Sequence, residues 1–323
     1  MSRLFWIPVL LLAACGSARR QPAGIAGASG ESGKDEKAYL PAPTKNMLPG
    51  GGLHVTARGT KFLSMIEDLA KADVVYLGES HPNPDHHLVQ LRVIEYLFDR
   101  GRLHAIGMEM FQRRFQPVLD DFIAGRIDEA AMLAGTEYKK RWGWDYALYR
   151  PIIEFARANR IPLVALNVER EITKAVRDGG LDALDEAARQ SLPAIDLDDK
   201  EHRQFLKRIY ASHPIPEGKV KGDEDFELFY LSQCLWEDVM ADSVVKWSRV
   251  APANAQIVVL AGRGHIRYRY GIPARVHRRM GKQYRVVVAV EKNVQPFAGR
   301  IFDRKYADYV WITPNFVQEK RDG

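Results

Sequence analysis

At 323 residues, 46% of them hydrophobic and 27% charged, the chain has ample apolar side chains for a full core, which excludes a disordered polymer. Its net charge of +6 is the small difference between 47 basic and 41 acidic side chains spread along the sequence, and no basic stripe interleaved with aromatics suggests a nucleic-acid partner. So diffuse an excess suits anionic membranes or anionic small molecules, and arises equally with no partner at all.

The first element is a signal segment. MSRLFWIPVLLLAAC places Arg3 before an apolar run from Leu4 to Leu12 and small residues at Ala13 and Ala14. The apolar run is too short to span a bilayer as a mature helix. It resembles a bacterial lipoprotein signal, in which residues 1–14 are removed and Cys15 is lipidated. Gly16 follows, where an Asp would suggest retention in the inner membrane, so the expected location is the periplasmic face of the outer membrane. Cys234 is then the only remaining thiol, which excludes an internal disulfide and a Cys-built metal site, and its helical context makes it a small core residue. Residues 15–52, with GIAGASGESG at their centre, read as a flexible tether.

Beyond the tether, strand-like runs at Val74 to Leu77, Ala105 to Met110, Leu163 to Leu166, Ile257 to Ala261 and Val286 to Val290 alternate with helical stretches. This alternation predicts an α/β fold, a mostly parallel β-sheet with helices on both faces, over residues 53–315. YVWIT at 309–313 is expected as an edge strand. The interval 168–255 shows helical patterns only and is too long for one crossover, so it is expected to be a helical insertion forming a smaller lobe.

Ligands of open parallel sheets bind at the carboxyl ends of strands, where loops converge. Three strands end there in polar chemistry: GESH with Glu79 and His81, GMEMF with Glu109, and AGRGH with His265. Two of these turns share the form Gly-x-x-His. Gly78 is read as the residue that lets the first strand turn sharply. If a helix starts at Pro84, His87 falls on the apolar face of Leu91, Ile94 and Phe98, and the helix dipole keeps its imidazole neutral, free to bond a metal or an acid. His86 points to the side, and His54, His104, His202, His213 and His277 read as surface or locally satisfied residues. Glu79, His81, Glu109 and His265 could ligate a divalent metal carrying a water nucleophile, or line a pocket as acid, base and hydrogen-bond partners, and the spacing does not choose. There is no G-x-S-x-G, P-loop or dinucleotide fingerprint.

Four blocks, LGESHPNPDHH, GMEMFQRRFQPVLDDF, RWGWDYALYRPIIEFARANRIPLVALNVERE and VVLAGRGHIRYRYGIPARV, resemble the ChaN-type haem-binding lipoproteins, in the superfamily of the Tiki metalloproteases and erythromycin esterases. The resemblance covers about residues 60 to 292. It implies a parallel-sheet lobe with a smaller helical lobe, haem binding and a part in iron uptake. The superfamily's Gly-x-x-His pair and Glu carry over to Gly78, Glu79, His81, Glu109, Gly262 and His265. Its metal-dependent branches use these positions catalytically, which makes a metal-dependent hydrolase or protease the alternative function. Pro82 departs from the pattern, since ChaN-type sequences often have Asp there.

Haem iron accepts His or Tyr as an axial ligand, and tyrosinate suits ferric iron that is carried and released. Tyr146 is the first candidate and Tyr149 the second, with His81, His87 and His265 as imidazole candidates. Trp142 and Trp144 could cover a porphyrin face. Arg267, with Arg263 and Arg269, offers forked donors for propionates. The expected partners are haem, the membrane through the lipid anchor, a second copy of the chain and an outer-membrane haem receptor.

Overall fold

The computed structural model describes residues 62–212, 222–292 and 305–316, together with the backbone of two short strands at 52–55 and 58–59. Cys15 and the expected tether as far as residue 51 lie outside the described residues, and Gly52, its expected last residue, begins a strand. In chain order come β1 (Gly52–Val55), β2 (Arg58–Gly59), α1 (Phe62–Leu69), β3 (Val74–Glu79), α2 (Pro84–Asp99) and β4 (Leu103–Gln112). Next are α3 (Gln116–Ile123), α4 (Glu129–Gly135), α5 (Tyr138–Arg141), α6 (Arg150–Ala158) and β5 (Leu163–Asn167). Then α7 (Arg170–Gly179), α8 (Glu186–Ser191), α9 (Lys200–Ser212) and α10 (Asp223–Val250) run without an intervening strand to β6 (Gln256–Gly262). α11 (Ile272–Met280), β7 (Tyr284–Glu291) and β8 (Tyr309–Thr313) close the chain.

The strands form one sheet in the order β2-β1-β8-β7-β3-β6-β4-β5. The six from β8 to β5 are mutually parallel. β1 and β2 add on antiparallel, so YVWIT is not the edge: β8 is paired with β7 on one side and β1 on the other. The apolar runs alternate in destination as the pleat requires. Val75 and Leu77 of β3 join Met65, Ile94 and Ile153 on one face, while Val74 and Tyr76 join Met240, Val244 and Val276 on the other. Near-continuous apolar strands are thus explained by helices on both sides of the sheet. An α/β fold with a mostly parallel sheet covered on both faces is what the structure shows.

The order of the strands positions the site. From β3 the chain goes one way to β4 and β5 and later the other way to β7 and β8, and β6 inserts between β3 and β4. The order of connection therefore reverses at β3, the position at which open parallel sheets bind ligands outside the strand ends. In the β3–β6 register Glu79 lies opposite Gly262, which brings GESH and GRGH side by side.

Candidate functional site

The two Gly-x-x-His turns pack on each other through their glycines. A Cβ at Gly262 would lie 3.0 Å from His81 Cε1 and 3.1 Å from Nε2, and one at Gly78 would lie 3.2 Å from the Arg263 Cα. Close approach, rather than a left-handed turn, is what these glycines supply: neither has a positive φ, which corrects the turn role expected of Gly78. The His81 ring lies directly against Gly262.

Glu79 is buried, and its Oε1 is 2.6 Å from His81 Nδ1 and accepts the Tyr149 hydroxyl at 3.2 Å. Burial alone would raise the Glu79 pKa, but the adjacent imidazole outweighs it and lowers it to about 2. Burial likewise opposes charge on His81, yet Glu79 raises that pKa to about 9. With Nδ1 held by the carboxylate, His81 Nε2 has no hydrogen-bond partner among the described residues. The side chain keeps 14% of its surface accessible, and its ring lies 4.8 Å from Trp142 and 5.8 Å from Trp144.

Glu109, at the end of β4, accepts the Gly262 N–H through Oε2 at 2.7 Å, and its Oε1 lies 3.7 Å from His265 Nε2. His265 turns its other nitrogen to Glu237 of α10, Nδ1 to Oε1 3.2 Å. Burial again opposes charge on this ring, and Glu109 and Glu237 outweigh it and raise its pKa. Glu237 Oε2 is 3.3 Å from His202 Nε2 and 3.2 Å from Arg275. His202 is fully buried in this network and does not belong with the surface histidines. Glu237 was not legible as a site residue. The signal was faint: two adjacent carboxylates, Glu237 and Asp238, inside the otherwise apolar CLWEDVM segment.

Glu79, His81, Glu109 and His265 are therefore brought together. Among the described residues, no group of three or more His, Cys, Asp and Glu side chains is arranged to hold a metal ion, and these four are assembled instead as imidazole–carboxylate pairs. His87 is buried on α2, but both ring nitrogens face protein oxygens, Gln90 Oε1 at 3.0 Å and the His81 carbonyl at 2.9 Å, so it buttresses the GESH turn rather than offering a nitrogen to a ligand. The tyrosines separate as well. Tyr149 is fully buried beneath Glu79 and His87, whereas Tyr146 sends its hydroxyl to Glu129 at 3.3 Å, away from the histidines. Arg267 is buried with its guanidinium 5.0 Å from the Phe205 ring centroid, Arg263 is paired with Glu291 at 2.8 Å, and Arg269 with Asp308 at 2.6 Å. The guanidiniums expected at propionates are engaged within the protein.

His86 is another correction: it is buried, not lateral. Its Nδ1 accepts the Ser80 N–H at 2.9 Å, and its Nε2 faces Thr313 Oγ1 at 3.3 Å. Burial lowers its pKa from 6.5 to about 3. Because the folded state then binds a proton less readily than the unfolded chain, this stabilisation is present above pH 6.5 and is lost as pH falls toward 3. Between pH 6.5 and 4.5 His86 should contribute a slope approaching about 1.4 kcal/mol per pH unit. His81 and His265, with raised values, add a slope of opposite sign near pH 6.5, which is common to the two proteins compared and cancels between them. His86→Asn, whose amide oxygen can stand in for Nδ1, should flatten this limb in urea denaturation at pH 6.5, 5.5 and 4.5. Parallel limbs for the two proteins would refute it.

A sequence model of the family described as haem-binding uptake, Tiki superfamily, ChaN matches residues 65–276. Among solved structures, the chain resembles one titled as cofacial heme binding to ChaN of Campylobacter jejuni, with a TM-score of 0.62 and 20% identity over 80% of this chain and 94% of that one. An erythromycin esterase, EreC, in its open conformation superposes with a TM-score of 0.43 at 13% identity, over 80% of each chain. The protein RETICULATA-RELATED 5, chloroplastic, of Arabidopsis thaliana is 23% identical over 259 residues, 76% of this chain. The match spans only 35% of that plant protein's length.

Proposed function

Because this chain belongs to the ChaN family of the Tiki superfamily, described as haem-binding uptake, we propose that the site at the ends of β3, β6 and β4 binds haem, and that His81 Nε2 is the atom that would hold its iron. One observation carries this: His81 Nδ1 is held by Glu79 at 2.6 Å, its Nε2 has no hydrogen-bond partner among the described residues, and the partly exposed ring lies beside two indoles. A carboxylate on the far nitrogen is the usual orienting partner of a metal-ligating imidazole. Bound haem would supply an iron that accepts such a nitrogen. Trp142 and Trp144 offer apolar faces against the porphyrin, and Tyr149 steadies Glu79 from below without reaching the surface.

The wider role we infer is haem or iron uptake at a membrane. MSRLFWIPVLLLAAC supports a lipid anchor at Cys15, and a membrane receptor or a second copy of the chain would be the partner in haem exchange. Among the described residues no helix is long and apolar enough to cross a membrane. Titration of the protein with haemin tests the reading: a Soret shift saturating at a defined ratio is expected, and no shift at any ratio would sink it. Cys15→Ser should move the protein out of the membrane fraction and remove the mass of the lipid. Unchanged retention and mass would exclude the anchor.

A further inference from the structure

We propose that Glu237 is the positioning residue of the second imidazole, fixing the Nδ1–H tautomer of His265 so that its Nε2 lone pair faces the same ligand as His81. This deepens the haem reading and rests on it for the identity of the ligand. The two histidines are held alike. Each follows a Gly-x-x turn at the end of one of two adjacent parallel strands, and each has Nδ1 against a buried carboxylate, Glu79 at 2.6 Å and Glu237 at 3.2 Å. The Nε2 of His265 stands 3.7 Å from Glu109 Oε1, beyond hydrogen-bond length. Glu237 comes from α10, far from both turns in sequence, and is fully buried.

The proton pattern follows from the neighbours of Glu237. Arg275 can only donate, and it lies 3.2 Å from Oε2 in an ion pair without hydrogen-bond geometry, which keeps Glu237 a carboxylate whose oxygens can only accept. A carboxylate also accepts at Oε1, so His265 Nδ1 must carry the hydrogen. In Glu237→Gln the amide oxygen would stay with Arg275, because an NH2 there would face a donor. The NH2 would then occupy the former Oε1 position and donate to His265 Nδ1, which moves the ring hydrogen to Nε2. Gly271 packs closely on the pair, since a Cβ there would lie 2.8 Å from Glu237 Oε1 and 2.2 Å from the His265 carbonyl oxygen.

Nitrogen-15 NMR of the imidazoles, recorded without haem at a pH where His265 is neutral, reads the tautomer directly. The wild type should show His265 protonated on Nδ1 and Glu237→Gln should show it on Nε2, with Glu237→Asp, which keeps the carboxylate, retaining the wild-type pattern. Nε2–H in the wild type overturns the proposal, even if the Gln variant does not fold. So does an unchanged tautomer in a folded Gln variant. A haemin titration of the same proteins reads the consequence: the inverted tautomer should weaken haem retention by about 10- to 100-fold, the range for lost orienting partners of metal-ligating histidines. An inverted tautomer with wild-type retention would also overturn it. Failure of the wild type to bind haemin would strike the haem reading alone, because the tautomer is measured without haem.

Discussion

Exchanging His81 for alanine is expected to abolish the shifted Soret band of the haemin complex and to weaken binding by more than the about 10- to 100-fold that loss of an orienting partner costs. The variant removes the imidazole nitrogen proposed first to hold the iron, and it frees Glu79, whose Oε2 already has no partner in its buried position. His277→Ala is the proper control, since that exposed histidine meets the Lys282 carbonyl and the Tyr284 ring, away from His81 and Glu79. His202→Ala is not one, because His202 sits in the Glu237 network. Tyr146→Phe should retain the wild-type spectrum, given that its hydroxyl turns to Glu129. Haemin titration followed by absorbance decides the matter. A His81→Ala protein with an unaltered spectrum would remove His81 from the iron, and a spectrum lost in Tyr146→Phe would return the ligand to the aromatic loop.

The largest loss of stability is expected from Arg275→Met. Arg275, on α11, is 1% exposed and lies 3.2 Å from Glu237 and 3.0 Å from Asp238, both of them fully buried. It also donates to the Tyr270 carbonyl at 2.8 Å. Methionine fills much of the volume but leaves two carboxylates in a low-dielectric interior with less compensation, which costs about 3–5 kcal/mol when one partner of a buried pair is removed. Arg126→Met is the contrast: its pair with Asp121 at 2.5 Å joins side chains 61% and 45% exposed, and such surface pairs contribute about 0–1 kcal/mol. Urea denaturation at pH 7 compares the two. A loss below about 1 kcal/mol for Arg275→Met would show that water reaches the network and that Glu237 is not held as described.

The same network shows where reading along the chain reaches its limit. Glu79, His81, Glu109 and His265 were legible because each ends an apolar run, and a polar cluster at a strand terminus needs no partner to be noticed. Glu237, His202 and His86 were not, because helical periodicity places a residue on a face without saying what packs there. A charged side chain is buried only when paired, and the partners of Glu237 come from three other segments, at 202, 265 and 275. The ranking of Tyr146 over Tyr149 failed to anticipate the geometry for a related reason. Three residues apart around a short turn, one hydroxyl turns to Glu79 and the other to Glu129, and no local pattern separates them.

By itself, then, the sequence determined the alternation of apolar strands and helices, and so a parallel sheet covered on both faces, because local hydrophobic period and chain length leave few other ways to bury such runs. It also determined the pair of glycines, whose reason appears only in three dimensions. What the tertiary structure decided was strand order. Inserting β6 between β3 and β4 sets Glu79 opposite Gly262, lays the His81 ring on that glycine, and puts Glu109 within reach of His265. Pairing between strands far apart in the chain depends on which faces fit together, a long-range packing choice that no stretch of residues encodes alone, and the chemistry of the site follows from it.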